Sequence, residues 1–571
     1  MMPIRSFQDI RIVAIAAAVG ALLAAFPVLL IAQEPAAPAK PRFDFTNTDN
    51  CILCHSDTAR LKDHADFIGV APAELWSKLD KHGQSFLLLM DKSRKLTDQI
   101  LGFDLRDAFA DDELTSLSED EKLADKVRTV QACLRCHATW PKDAVHPTGK
   151  PTEPVEPLSR GVSCQACHGP AGNWEGAHSA KWWRRVSHKA KSKLGFTNVR
   201  DGVTRAELCI SCHVGSVAEE KFVKHEWYSA GHPPLPGFEY SAFAAQMPAH
   251  WKPLADKPDF AGRTAASLPV PDGKAERIIL RRRNIDIPDA DIKASYREAN
   301  FPGAKEEDDP FANLPRTQEV TLSGVVVLKA YAGLVGDYAR EVAQGNKRFN
   351  WPEFALYDCV ACHHELRRQT GFDARPAGSG PPGRPPLSRW TSSLLILATD
   401  RKPELDENLL ILKRAFTQRP FGDPKKIAAA AKQLTPQLEQ LCQELNRAKY
   451  DTARTAQSLK ILLRKTDPSD VRDYSSARQI AWAIQGLRQD QERIPYGFGA
   501  SLTAEQQQSQ DRITAFFHRE GRDELLLALP ARQENSVVGE LPQFLRAMGD
   551  YDAVWFANQL KQIKSEPAKR K

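Results

Sequence analysis

Past residue 33 the sequence is expected to have no run long and apolar enough to cross a bilayer, so any membrane anchor must come from the first residues. Net charge is also scarce. The 78 Lys and Arg stand against 72 Asp and Glu, leaving +6, which excludes nucleic acid as an expected partner. Basic clusters such as Arg281, Arg282 and Arg283 then read as a solvated face or as partners of propionates rather than as a polyanion site. Free cysteine is nearly absent: ten of the eleven fall into pairs two residues apart, leaving Cys442 alone and excluding a conventional disulfide framework. Sustained amphipathic patterning is missing from stretches such as Pro141 to Arg160 and Pro253 to Lys274, which are rich in Pro, Gly and short polar runs.

Every cysteine pair is followed at once by histidine. The five motifs are Cys51/Cys54/His55, Cys133/Cys136/His137, Cys164/Cys167/His168, Cys209/Cys212/His213 and Cys359/Cys362/His363. Random placement of 11 Cys and 15 His gives on the order of 0.006 such motifs per chain. Two cysteines on one helical turn can form thioethers to the two vinyl groups of a porphyrin, and the next residue sets an imidazole under the iron. Zinc ribbons need two pairs per metal, so an odd number of pairs with an invariable trailing His argues against them. A thioredoxin-like pair would occur once, near a βαβ pattern. The expected cofactors are therefore five covalently bound haem c groups, whose propionates would bring the holoprotein near neutrality.

The distal side decides the chemistry, because iron with two protein ligands passes electrons whereas an open iron can bind a substrate. Ten histidines remain after the proximal five. His225 and His232 are seven apart, about 20° from one direction and about 10.5 Å along an axis if helical, so one helix could serve two haems before Pro233 and Pro234 end it. His178 lies ten residues after His168, across a sharp turn at Gly169 and Pro170, and His82 follows Trp76 on an expected helix. His250, beside Trp251, and His364 are candidates for the fifth distal ligand. His64, His146 and His188 read as solvated or bound to propionates, and His518 lies outside the haem region. Met90 and Met247 are chemically possible ligands that nothing singles out.

The expected fold is mainly α, a multihaem cytochrome domain with little regular sheet followed by a helical bundle. Residues 1–33 combine Arg5 and Arg11 with an apolar run from Ile12 to Ala32, which is expected to deliver the rest across the membrane. Cleaved signal and retained anchor both stay open, so a periplasmic protein, soluble or held at the inner membrane through residues 12–32, is the expectation. Residues 34–373 form the haem region, where eight of the eleven Trp lie between Trp76 and Trp351 and can pack on macrocycles. Residues 374–389 read as a Pro/Gly-rich linker. Residues 390–571 turn helical, with Ile427, Ala431, Leu434, Leu438, Leu441, Cys442 and Leu445 at helical spacing and Ala477, Ile480, Ala481, Ile484 and Leu487 repeating it. Cys442, on that apolar face, reads as a small buried hydrophobe.

At Gly161 to His178, which includes Cys164-Gln-Ala-Cys167-His168-Gly-Pro, and again at Trp76 to His82, the chain resembles the cytochrome c554 family and its wider relatives, hydroxylamine oxidoreductase among them. The resemblance implies bis-histidine ligation at most sites, closely packed haem pairs and periplasmic electron transfer. Stretches His225 to Phe238 and Tyr357 to Leu366 look like a branch of multihaem cytochromes with a helical C-terminal extension. That resemblance covers the haem region only, and cytochrome c554 has four haems where five motifs stand here, so no catalytic haem is carried over. No Cys-x-x-Cys-Lys is present, which disfavours the pentahaem nitrite reductases. The expectation is electron transfer between a redox protein donor and acceptor rather than substrate conversion. The alternatives are an oxidoreductase with one five-coordinate haem acting on a small nitrogen or sulfur compound, and a membrane-anchored quinol-oxidising cytochrome.

Overall fold

A near-continuous apolar run, Val320 to Leu328, decides the centre of the protein, because a helix that is hydrophobic on every side must be covered on every side. In the computed structural model this run lies within the helix Pro315–Ala343, which opens on Pro315, where a missing N–H does no harm. The structure describes residues 43–56, 71–90, 98–100, 102, 121–142, 155–230, 232, 235, 237–252, 257, 287, 289–293, 296–300, 313–362, 383–398, 402–465, 467–492, 502–517 and 551–564. Among them the protein is mainly helical with no strand, and extended pairing is limited to isolated bridges such as Val186 with Ile292 and Tyr357 with Leu387. The segment 1–33, with its expected signal or anchor, lies outside the described residues.

Pro315–Ala343 corrects the expectation that nothing after residue 33 has the length and apolarity of a membrane span. Among the described residues it is the one helix that passes that test, and 83% of its apolar window is buried inside the protein. It serves here as a core helix. Pro424–Asn446 packs along it so closely that a Cβ at Gly336 would run into the Ala431 methyl. Gly324 likewise lets the backbone of Leu394 approach. Pro403–Thr417 lies against Pro424–Asn446, while Thr452–Leu462 and Tyr474–Glu492 flank the core helix. Ala504–Phe517 and Ala553–Lys564 pair with each other and close a second core around Tyr474, Ile480, Phe517 and Phe556.

The predicted helical spacing is observed: Ile427, Ala431, Leu434, Leu438, Leu441, Cys442 and Leu445 are all buried on Pro424–Asn446. Burial pushes the Cys442 thiol up to about 12, consistent with an inert packing residue. The main core takes Val203, Ala206 and Ile210 from the haem region together with Leu412, Leu434 and Trp482, so side chains from both sides of 374–389 share it. Within 374–389 only 383–389 are described; there Leu387 and Ser388 are buried. Residues 43–300 are built otherwise, mostly from short helices and turns around small clusters such as Trp174, Trp182 and Trp183 or Phe86, Leu134 and Trp140.

Candidate functional site

Four motifs sit at helix ends. Thr48–His55, Glu121–His137, Cys164–His168 and Gly202–His213 each finish on the motif histidine, so the two cysteines of each lie one turn apart on a single face. Side-chain caps fix two of these helices: Asn47 accepts from the Asp49 N–H, and Asp201 from the Thr204 N–H. In the fifth motif, Cys359–Ala361 is a single 3₁₀ turn; Cys362 is described and His363, with His364, is not.

Three motif histidines face a second histidine. His55 and His178 have ring centroids 6.2 Å apart at 17°, His213 and His82 are 6.2 Å apart at 89°, and His168 and His250 are 6.4 Å apart at 81°. A metal–imidazole bond of about 2 Å on each side of one iron would set two ring centroids roughly 6.3 Å apart, so each pair has the spacing that six-coordinate haem iron requires. His82, His178 and His250, expected as distal ligands from the sequence, are thus each brought to one motif.

Each second histidine has its ring oriented by a neighbour. His178 Nδ1 bonds the Glu175 carbonyl, which directs Nε2 away from its own turn, and Trp174 packs edge-on against the ring at 5.3 Å. His82 Nδ1 donates to Asp80 Oδ1 at 2.8 Å, and the same oxygen accepts the His82 backbone N–H at 2.9 Å. Asp80, 3% exposed, is the functional residue that sequence reading missed; its only signal was a carboxylate two positions before His82. His250 Nδ1 lies 3.3 Å from the Pro248 carbonyl, with Trp251 edge-on at 5.2 Å. The helix expected to carry His82 breaks at Asp80: Pro72–Leu79 ends there and a 3₁₀ helix, Lys81–Leu88, begins with Asp80 as its cap.

The motif histidines His55, His137, His168 and His213 are half-buried. Burial, with the facing histidine second, pushes His168 down to about 4 and His213 down to about 3, which keeps both imidazoles in the neutral form that binds metal. Burial likewise lowers His55 and His178. For His82 the same burial penalty is outweighed by the Asp80 carboxylate, and its pKa rises.

Cross-motif contacts draw the sites together. The Cys51 thiol lies close enough to Cys164, and Cys136 close enough to Cys212, for each to shift the other's ionisation. Buried Glu156 accepts from the Thr48 and Ser163 hydroxyls and, at 3.3 Å, from Gln165 Nε2, locking the first and third motifs together. At Gly161, φ is +61° and a Cβ would lie 2.5 Å from the His82 carbonyl oxygen, so only glycine passes there.

The remaining candidates divide. His137 Nδ1 lies 3.1 Å from the Ser85 carbonyl. His225 and His232 do not share the expected helix, which runs only over His225–Ser229; the His232 N–H instead closes back on the Trp227 carbonyl at 2.8 Å. Capture of the chain there, ahead of Pro233 and Pro234, ends the helix one turn earlier than the spacing suggested. The His225 N–H donates to Glu353 at 2.8 Å and its ring packs edge-on against Phe354 at 5.6 Å, so this short helix meets the segment just before the fifth motif. His188 bonds Asn300. His64, His146 and His518 lie outside the described residues.

No curated protein and no solved structure matches the chain. Residues 107–169, which span the second and third motifs, match the family model described as cytochrome c554 and c-prime. The chain therefore resembles the multihaem c-type cytochromes, a resemblance that supports electron transfer with covalently bound haem c and redox partner proteins.

Proposed function

We propose that this is an exported pentahaem cytochrome that relays electrons between a donor and an acceptor protein through mostly bis-histidine haems. The observation that carries the reading is the set of three histidine pairs at 6.2–6.4 Å, each joining a motif histidine to a second imidazole. Haem c would be held at Cys51/Cys54, Cys133/Cys136, Cys164/Cys167, Cys209/Cys212 and Cys359/Cys362, with axial pairs His55–His178, His213–His82 and His168–His250. The haem would supply a one-electron iron couple; the motif cysteines would attach it, and the paired histidines would offer it two imidazoles.

Iron with both axial positions taken by protein has no site for a substrate, so a relay is favoured over catalysis. The closeness of Cys51 to Cys164 and of Cys136 to Cys212 supports a relay in which the first motif lies beside the third and the second beside the fourth. Delivery across the membrane by residues 1–33 fits assembly of covalent haem in the periplasm. Electron paramagnetic resonance of the oxidised holoprotein, with haem counted on the same sample, tests the reading. Five haems with only low-spin ferric signals are expected; an axial high-spin signal that moves on adding nitrite or hydroxylamine would replace the relay with an enzyme.

A further inference from the structure

The segment entering the short helix Tyr240–Gln246 carries Phe238, which stacks on the His213 ring at 5.9 Å and 27°, and the helix itself brings Phe243 edge-on to the same ring at 5.0 Å. Glu239 follows Phe238 and caps that helix: its Oε1 accepts the Ser241 N–H at 3.2 Å and its Oε2 the Ala242 N–H at 2.7 Å. One carboxylate thus anchors both rings that touch the fourth motif's histidine.

Glu239 is 0% exposed, as are its neighbours Phe238 and Tyr240. Two guanidiniums reach its helix, and Glu319 takes both. Arg316 Nη1 donates to the Ser241 carbonyl at 3.1 Å and to Glu319 Oε2 at 2.9 Å, while Arg205, on the fourth-motif helix Gly202–His213, donates to Glu319 Oε1 at 2.8 Å and to the Tyr240 hydroxyl. Tyr474–Glu492 also packs on this helix. From it Gln479 Nε2 donates to the Phe238 carbonyl at 2.7 Å, Arg478 lies over the Tyr474 and Trp482 rings at 5.1 and 4.7 Å, and Asp490 Oδ2 accepts the Thr317 N–H at 2.7 Å. Among the described residues Glu239 is therefore a buried carboxylate bonded by backbone N–H groups alone. A buried charge without a counter-ion is costly, and a proton removes that cost. Burial, with the Glu319 charge adding to it, pushes Glu239 up to about 7, against the two N–H bonds and Arg316.

We propose that Glu239 is a proton-binding site coupled to the haem held by Cys209, Cys212 and His213, so that the relay takes up a proton with an electron at that position. The proposal rests on the haem reading above. Glu239 takes one proton from water as one electron arrives from the donor protein, and returns it when the acceptor removes that electron, so charge and protons balance over the cycle. The coupling is electrostatic: an electron added at the iron repels the carboxylate across the apolar contact of Phe238 with His213, where screening is weak, and by linkage the proton favours the electron to the same extent. Burial raises Glu319 as well, but there Arg205 and Arg316 oppose it, and the counter-charge they give Glu319 is what Glu239 lacks.

The test uses the holoprotein as Glu239→Gln and Glu239→Asp, with Glu219→Gln as control, since Glu219 is exposed six residues after His213 and its loss changes the charge equally. The readouts are the haem potentials, from redox titrations across roughly pH 5 to 9 followed by paramagnetic resonance, and the protons taken up on reduction. In the parent one potential is expected to fall as pH rises through the neutral range and to level off on either side, because Glu239 is neutral in both redox states in acid and ionised in both in alkali. Glu239→Gln should lose that slope and hold the parent's acid value throughout, with proton uptake near neutral pH reduced. Glu239→Asp keeps a carboxyl and retains a slope at a displaced pH. Glu219→Gln keeps the parent's slope.

If Glu239→Gln keeps the parent's slope and proton uptake, the proton resides elsewhere, on a haem propionate for instance, and the proposal falls. If Glu239→Asp is as flat as Glu239→Gln, the change belongs to the helix cap rather than to a proton, and the proposal falls also. Should neither variant fold, the infrared difference spectrum of the parent decides: a protonated-carboxyl band gained on reduction near neutral pH supports the site, and its absence overturns it. A peptide carrying Cys209 and Cys212 without a haem mass increment brings down the haem reading along with the coupling, whereas an intact haem with an unchanged slope in Glu239→Gln brings down the coupling alone.

Discussion

Asp80 is a single carboxylate whose effect should be measurable at one iron. By accepting from His82 Nδ1 it would make the imidazole a stronger donor to the iron that the proposed ligation gives it, favouring the ferric state. Asp80→Asn keeps the shape and weakens that pull, so on the proposed ligation the potential of one haem should rise by tens of millivolts while the rest hold, as read by spectroelectrochemistry. His178→Ala removes one of the two facing rings outright. On the proposed relay one haem should turn high-spin in paramagnetic resonance, with haem content unchanged because attachment through Cys51 and Cys54 would persist; an unaltered low-spin spectrum would break the His55–His178 pairing. The five Cys-x-x-Cys-His motifs were legible because each is written within five consecutive positions. Their partners were not, since His178, His82 and His250 reach their motifs only after the chain has returned from far along the sequence.

Between elements, packing against Pro315–Ala343 dominates. Gly336 faces Ala431 across the closest helix approach, and its missing side chain is what permits it. Gly336→Val should therefore force Pro315–Ala343 and Pro424–Asn446 apart and lose roughly 1–3 kcal/mol of stability, seen as a lower thermal midpoint with haem spectra intact. Gly345→Ala makes a contrasting control on crowding, because a Cβ there has nothing within 4 Å, although its φ of +78° carries its own strain. The C-terminal helices were readable from their periodicity, because a half-buried helix leaves an apolar stripe. Pro315–Ala343 was not, because burial on every side erases the stripe that periodicity detects.

Across the whole molecule, Lys329 ties the haem region to the bundle. Its ammonium, 13% exposed, pairs with Glu207 on Gly202–His213 and with Glu439 on Pro424–Asn446. The bond to Lys329, with help from Gln443, holds the Glu439 carboxyl below the usual range. A lowered carboxyl contributes stability that is present above its unfolded pKa and is lost as pH falls through the lowered folded value. Lys329 itself is raised: burial alone would lower it, and its two carboxylates more than offset that. Its share is full below the ordinary lysine pKa and is lost as pH rises through the raised value. Lys329→Met should thus destabilise by about 1 kcal/mol at neutral pH, the gap to the parent narrowing in acid, by denaturant titration across pH; half-exposed Glu439 keeps the effect small.

By itself the sequence determined the spacing of the five motifs, the helical character of the C-terminal part and the burial of Cys442, because each depends on residues within a few turns of one another. Only the tertiary structure decided which histidines face which motifs, that Asp80 orients His82, that His225 and His232 lie on a broken rather than a continuous helix, and that the longest apolar helix is a core element. Those outcomes depend on contacts between distant segments, where packing and desolvation choose among partners that local spacing leaves equal.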